Sequence, residues 1–232
     1  MVNSREPPVS DAPGRDRDGT RMRLQLSPRL ARLRQRFLAR YRELGQRLFT
    51  EPAEARACAA ALVRGYERTV GQPAVRRRAE ALREFAASFP VSLDPDALLV
   101  GSQAFNPPFG HAPEAQRRLH ELGYATTTGH IVHDYGVLLS GGVAGMRARL
   151  DAATAHTPAQ RDFREAAGIA LTAFSRFICR HAEAAQALAG SLTGARATEW
   201  QQRAISLRRL ATDRPTTFAE ALQLVWFMQV FL

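Results

Sequence analysis

The segment 215–232, PTTFAEALQLVWFMQVFL, constrains the fold more than any other stretch. Thr217 followed three residues later by Glu220 is a capping box, which satisfies the free N–H groups of a helix's first turn. Beyond it, Leu222, Leu224, Val225, Trp226, Phe227, Val230 and Phe231 leave almost no polar face. A helix apolar nearly all round is stable only when it is surrounded. The apolar run covers 222–232 and is broken by Gln223 and Gln229, far short of the roughly 20 residues that span a bilayer. The expectation is a helix whose buried face needs a partner: a second chain, or further sequence.

The rest of the chain reads as helices around a short irregular middle. Residues 1–26 are rich in Pro, Gly, Asp and Arg, without an apolar stretch that would serve as a secretory signal, and are predicted to be a disordered arm. Residues 27–232 form the folded part. Ser27-Pro28 is an N-cap with proline at the first helical position. Leu30, Leu33, Phe37, Tyr41, Leu44 and Leu48 then predict a helix over 28–49. Further helices are predicted over 53–70, 74–89 and 113–122. Residues 97–101, ALLVG, read as a buried turn and strand. Residues 102–113 and the Thr- and Gly-rich 124–142 read as loops, where sites commonly sit. Val143, Met146 and Leu150 mark another helix. Thr157-Pro158-Ala159-Gln160 is a second capping box and opens a long helix to about 190, followed by one over 196–211.

Charge is unevenly placed. The net charge is +10, and all 32 basic residues are arginine. Nineteen of them lie in the first 89 residues, against 10 acids. Arginines solvated on helix surfaces explain this better than a nucleic-acid patch, because no aromatic-and-basic interleaving or recognition module accompanies them. The two cysteines, Cys58 and Cys179, cannot build a disulfide framework, which points to a reducing cytoplasm. Both fall in apolar helical stretches, where cysteine is usually a small buried hydrophobe. Arg180 and His181 make Cys179 the better nucleophile candidate of the two. His130, His133 and Asp134 are plausible metal ligands by type, but their spacing matches no metal motif and nothing completes a shell, so no metal site is expected. There is no phosphate loop and no nucleophile elbow.

The order of five segments resembles one family. These are 91–101 (VSLDPDALLVG), Gly129-His130 followed by Asp134-Tyr135, 137–145 (VLLSGGVAG), 177–189 (FICRHAEAAQALA) and 216–227 (TTFAEALQLVWF). Together they are similar to the N-terminal part of the pyruvate formate-lyase domain of glycyl radical enzymes. That family includes formate acetyltransferases, glycerol and diol dehydratases, a choline lyase and aryl decarboxylases. The resemblance implies a mainly α chain: the N-terminal helical fragment of a ten-stranded α/β barrel, with at most a few short strands.

The resemblance also implies radical cleavage of a C–C, C–O or C–N bond in a small polar substrate during anaerobic metabolism. The family's chemistry uses a cysteine on a loop inside the barrel and a radical-storing glycine in an Arg-Val-x-Gly loop. A separate S-adenosylmethionine and iron–sulfur activating enzyme installs the radical. Neither motif occurs in these 232 residues, so no catalytic residue is assigned, no cofactor is expected in this chain, and the chain alone is expected to be inactive. The matched Gly129-His130 segment implies His130 as a substrate-binding residue, with Asp134 beside it. The family's partners would be a small-molecule substrate, the activating enzyme and a second copy in a homodimer, with no membrane or nucleic acid. The competing expectations are a non-enzymatic helical subunit docking through 222–232 and, behind it, an Arg-rich nucleic-acid-binding protein.

Overall fold

A computed structural model describes residues 26–44, 52–101, 112–124 and 134–231. These form α1 (Pro28–Leu44), α2 (Pro52–Arg68), α3 (Ala74–Ser88), α4 (Pro113–Glu121), α5 (Tyr135–Ala152), α6 (Pro158–Ser191), α7 (Gly194–Leu210) and α8 (Phe218–Phe231). The described residues contain no strand. The arm expected over 1–26 lies outside them except for Leu26, as does the loop expected over 102–113 except for Ala112 and Pro113.

The long α6 is the axis. Its capping box forms as read: the Thr157 hydroxyl accepts from the Gln160 N–H at 3.2 Å, and the Gln160 side chain accepts from the Thr157 N–H at 3.0 Å. Helices α3, α5, α7 and α8 pack on α6, α2 packs on α3, and α4 packs on α2. Phe174, Phe177, Ile178, His181, Ala182, Ala185 and Ala189 are the buried stripe of α6, at helical spacing. Phe177 sits among Phe85, Phe89, Phe227 and Phe231, with ring centroids 5.4–6.1 Å apart, most of them edge-on or tilted as aromatic quadrupoles favour. Alanines fill the remaining contacts, so the alanine-rich composition lets helices approach closely. Where α2 crosses α3, a Cβ on Gly65 would lie 2.5 Å from the Ala81 Cα.

Two expectations are corrected. Residues 97–101 form no strand, with 98–101 as bends, because their polar backbone atoms meet side chains instead of another strand. The Gln223 side chain of α8 accepts from the Val100 N–H at 2.7 Å and donates to the Val100 carbonyl at 2.9 Å. This reproduces with one amide what a ladder partner would supply. The Trp226 indole N–H donates to the Gly101 carbonyl at 3.1 Å. Similarly, the stretch read as a loop over 124–142 turns helical from Tyr135, because Asp134 caps α5. Within α5, Gly142 has φ 63° and ψ −169°, a break between two helical halves. There the backbone of 213–214 passes so close that a Cβ on Gly142 would be 2.4 Å from the Asp213 carbonyl carbon.

Helix α1 is attached by charge. Leu30 and Phe37 remain exposed, while Arg32 forms a two-bond fork to Asp96 at 2.8 and 2.9 Å. Arg36 bridges Asp94 and Asp96, each at 2.9 Å, and Arg29 reaches Glu199 at 3.0 Å and the Asp96 carbonyl at 2.7 Å. Hydrogen bonds from Arg32 and Arg36 hold the Asp96 carboxyl well below the usual carboxylate range. Many of the arginines expected to be merely solvated are thus paired.

Gly142→Ala should lower stability by about 3 kcal/mol, since the conformation is essentially glycine-only and the neighbour is backbone. Gly190→Ala in α6, with open space at its Cβ, should leave stability unchanged or raise it by about 0.5–1 kcal/mol. Thermal unfolding of the two variants checks the contrast. A pH dependence follows from His181. Burial pulls its pKa down from 6.5 to about 4, and Nδ1 is bonded to the Phe177 carbonyl at 2.9 Å. The folded state therefore holds it neutral while the unfolded chain takes up a proton. Stability is full above pH 6.5 and falls by on the order of 3 kcal/mol as pH drops toward 4. Denaturant unfolding of His181→Leu should lack most of that slope.

Candidate functional site

The residue types singled out by sequence separate in the fold. His130 and His133 lie outside the described residues. Asp134 is exposed and its Oδ1 accepts from the Gly136 N–H at 3.0 Å, which is a helix N-cap. It also stands on the rim of a groove of about 610 Å³ between α5, α6 and α8. Val137, Met146, Phe163, Phe174 and Phe231 make that groove strongly apolar, and Arg149 is the other charged group on it. Next to Asp134, the Tyr135 hydroxyl accepts from the Gln229 amide of α8, so the start of α5 and the end of α8 are joined. The groove offers an apolar bed with one carboxylate at its mouth. That arrangement suits packing of an apolar body and supplies no acid–base pair of its own.

The cysteines are also accounted for. Cys58 is fully buried in α2, and burial, helped by Glu54, pushes its thiol up to about 12. Cys179 is half-buried, and burial raises its pKa too, against a smaller lowering by Arg176. Neither environment makes a thiolate nucleophile. Among the described residues no group of His, Cys, Asp and Glu could hold a metal ion. No described helix is long and apolar enough to cross a membrane.

One buried titratable group stands in sequence only as a neighbour of Cys179. His181 is fully buried against Phe89, Phe177 and Phe227, with its Nε2 unpartnered among the described residues. A signal was available: His181 is four residues after Phe177 and four before Ala185, on the apolar stripe of α6. Its role here is packing beside Gly101, whose Cβ, if it had one, would lie 3.4 Å from Nε2.

Residues 112–232, from the start of α4 onward, match the family described as pyruvate formate lyase-like. The chain belongs to the pyruvate formate lyase-like family. The match takes in four of the five segments recognised in sequence and leaves 91–101 before it. Solved structures extend the likeness of fold toward the N-terminus. The chain is similar to the glycerol-bound form of the B12-independent glycerol dehydratase from Clostridium butyricum, with a TM-score of 0.61 and 19% identity over 83% of this chain and 34% of that one. It is similar to the structure describing 1,2-propanediol dehydration in Roseburia inulinivorans, with a TM-score of 0.62 and 20% identity over 75% of this chain and 31% of that one. A glycyl radical enzyme from Archaeoglobus fulgidus gives a TM-score of 0.56 and 19% identity over 74% and 31%. This pyruvate formate lyase-like chain therefore has the fold of a helical part of such enzymes and spans about a third of their length.

Asp134→Ala should cost about 1 kcal/mol, and Asp134→Asn only a few tenths, because either Asp or Asn can cap α5. Equilibrium unfolding of both variants checks this. A loss with Asn as large as with Ala would mean that the carboxylate charge has a partner beyond the cap.

Proposed function

We propose that these residues are the helical shell of a glycyl-radical-type enzyme. The parental reaction is radical cleavage of a C–O, C–C or C–N bond in a small polar substrate, and dehydration is the favoured type. The observation that carries this reading is the family match over 112–232 together with a shared fold at TM-scores of 0.61 and 0.62 with two structures of diol or glycerol dehydration. In this reading His130 contributes to substrate binding, and Asp134 caps the helix that follows. A glycyl radical, installed by an S-adenosylmethionine and iron–sulfur activating enzyme, would supply hydrogen-atom abstraction. No residue here fits the storage glycine, and neither Cys58 nor Cys179 lies in an environment suited to the thiyl role, so no step of the relay is assigned to this chain. The setting is soluble and cytoplasmic, and a homodimer is the expected assembly.

A second reading, a non-enzymatic helical subunit, is favoured by one observation. Leu224, Phe227, Val230 and Phe231 of α8 are buried within the chain itself, while Phe218 is 84% and Leu222 44% exposed beside the 57% exposed Leu98. That stripe is narrower than the all-round apolar helix implied, and it is the surface through which such a subunit would dock.

The coding frame following residue 232, read together with the intact mass of the native product, separates the two. A continuation carrying a cysteine loop and an Arg-Val-x-Gly loop is the expected result. A stop codon with a matching short mass would favour the subunit. The 232-residue chain, incubated anaerobically with an activating enzyme and glycerol or 1,2-propanediol, should give neither aldehyde product nor a glycyl radical signal in electron paramagnetic resonance. Turnover by this chain alone would refute its assignment as a shell without a relay.

A further inference from the structure

The groove between α3, the C-terminal half of α5 and the first turns of α6 carries charge that the fold leaves uncompensated. It has a volume of about 560 Å³, and Leu150 and Ile169 line it together with Arg147, Arg161 and Arg164. Neutral oxygens orient each of these guanidinium groups. Arg147 donates to the Gly168 carbonyl at 2.9 Å and to the Thr172 hydroxyl at 2.6 Å. Arg161 donates to the His156 carbonyl at 3.1 Å, and Arg164 to the Asp151 carbonyl at 3.1 Å.

Elsewhere in the chain Arg32, Arg36, Arg118 and Arg176 each meet a carboxylate. Among the described residues none does so with Arg147, Arg161 or Arg164. Of the acids around the groove, Glu165 is engaged by Arg76, and Glu80 by Arg83 at 2.5 Å. Asp151 alone remains on the rim. Helix polarity adds to the effect. The first turn of α6 has no acidic residue, and its N-terminus carries partial positive charge, an end where arginine is electrostatically misplaced for stability. Arg161 and Arg164 therefore raise a positive potential that already exists.

We propose that this groove binds a small polyanion, a phosphate ester or polycarboxylate, through the free N–H groups of Arg147, Arg161 and Arg164. Planar guanidinium forks already held by carbonyls suit paired oxygens and lose little freedom on binding. The organic body of the ligand rests on Leu150 and Ile169. Asp134 does not line this groove, and the test of the groove does not depend on turnover.

The native chain is titrated calorimetrically with inorganic pyrophosphate and, in parallel, with citrate at low ionic strength. Saturable one-to-one binding of at least one probe is expected, weakened about tenfold by Arg164→Gln and by Arg147→Gln, and unchanged by Arg208→Gln on α7. The tighter probe tells phosphate from carboxylate. Should Arg147→Gln lose helicity by circular dichroism, Arg161→Gln carries the same expectation with less structural burden. Absence of saturable binding, or equal weakening by Arg208→Gln, would mean diffuse attraction to a chain of net charge +10 and would overturn the proposal.

Discussion

The segment 94–101 has no regular secondary structure, yet three helices depend on it. Its carbonyls accept from side chains of α1, α7 and α8: Pro95 from Trp200 at 3.0 Å, Ala97 from Arg203 at 2.8 Å, Val100 from Gln223 at 2.9 Å. Arg29 bonds the Asp96 and Ala97 carbonyls from α1. Buried backbone polar groups must find partners, and here the partners are long side chains converging from separate helices. The guanidinium of Arg203 also lies 4.7 Å from the Trp200 ring centroid, so the clamp on this turn is itself stacked in place. The register of α8 against the rest follows, because Gln223 meets Val100 in only one seating.

This dependence explains what could be read from the sequence. Helices α2, α3, α6, α7 and α8 were predictable to within two residues or so, since periodicity and capping boxes are local signals. Residues 97–101 were not: an apolar run ending in glycine looks the same whether its hydrogen bonds go to a strand or to Gln223, a partner 123 residues away. The start of α5 was hidden for a different reason. Glycines at 136, 141 and 142 argue for a loop, and only the Asp134 cap and the packing of Gly142 on 213–214 make the stretch helical.

The candidate site divides along the same line. Asp134 could be singled out by residue type, but its observed bond is a cap, a structural use that residue type alone does not distinguish from substrate contact. Cys58 was readable as core from its alanine neighbours. The uncompensated groove was not readable at all, because Arg147 and Arg164 are brought together by the α5–α6 packing, and their lack of carboxylate partners is a property of the fold. The resemblance read in the sequence rests on segment order, which survives when individual motifs are weak. The fold then supplies the reason for that order, since 177–189 and 216–227 supply the buried faces of α6 and α8.

Among the described helices, α1 stands apart. Leu30 and Phe37 face water, and its described attachments are ionic or to carbonyls on the 94–97 turn. Apolar burial couples elements into one cooperative transition, whereas these pairs join a covered carboxylate to arginines that are partly open to water, so salt weakens them. Release of α1 would therefore leave the aromatic centre of α3, α6 and α8 packed. The chain has two tiers of cohesion: a close-packed aromatic interior, and an outer helix whose hold on the rest weakens as ionic strength rises.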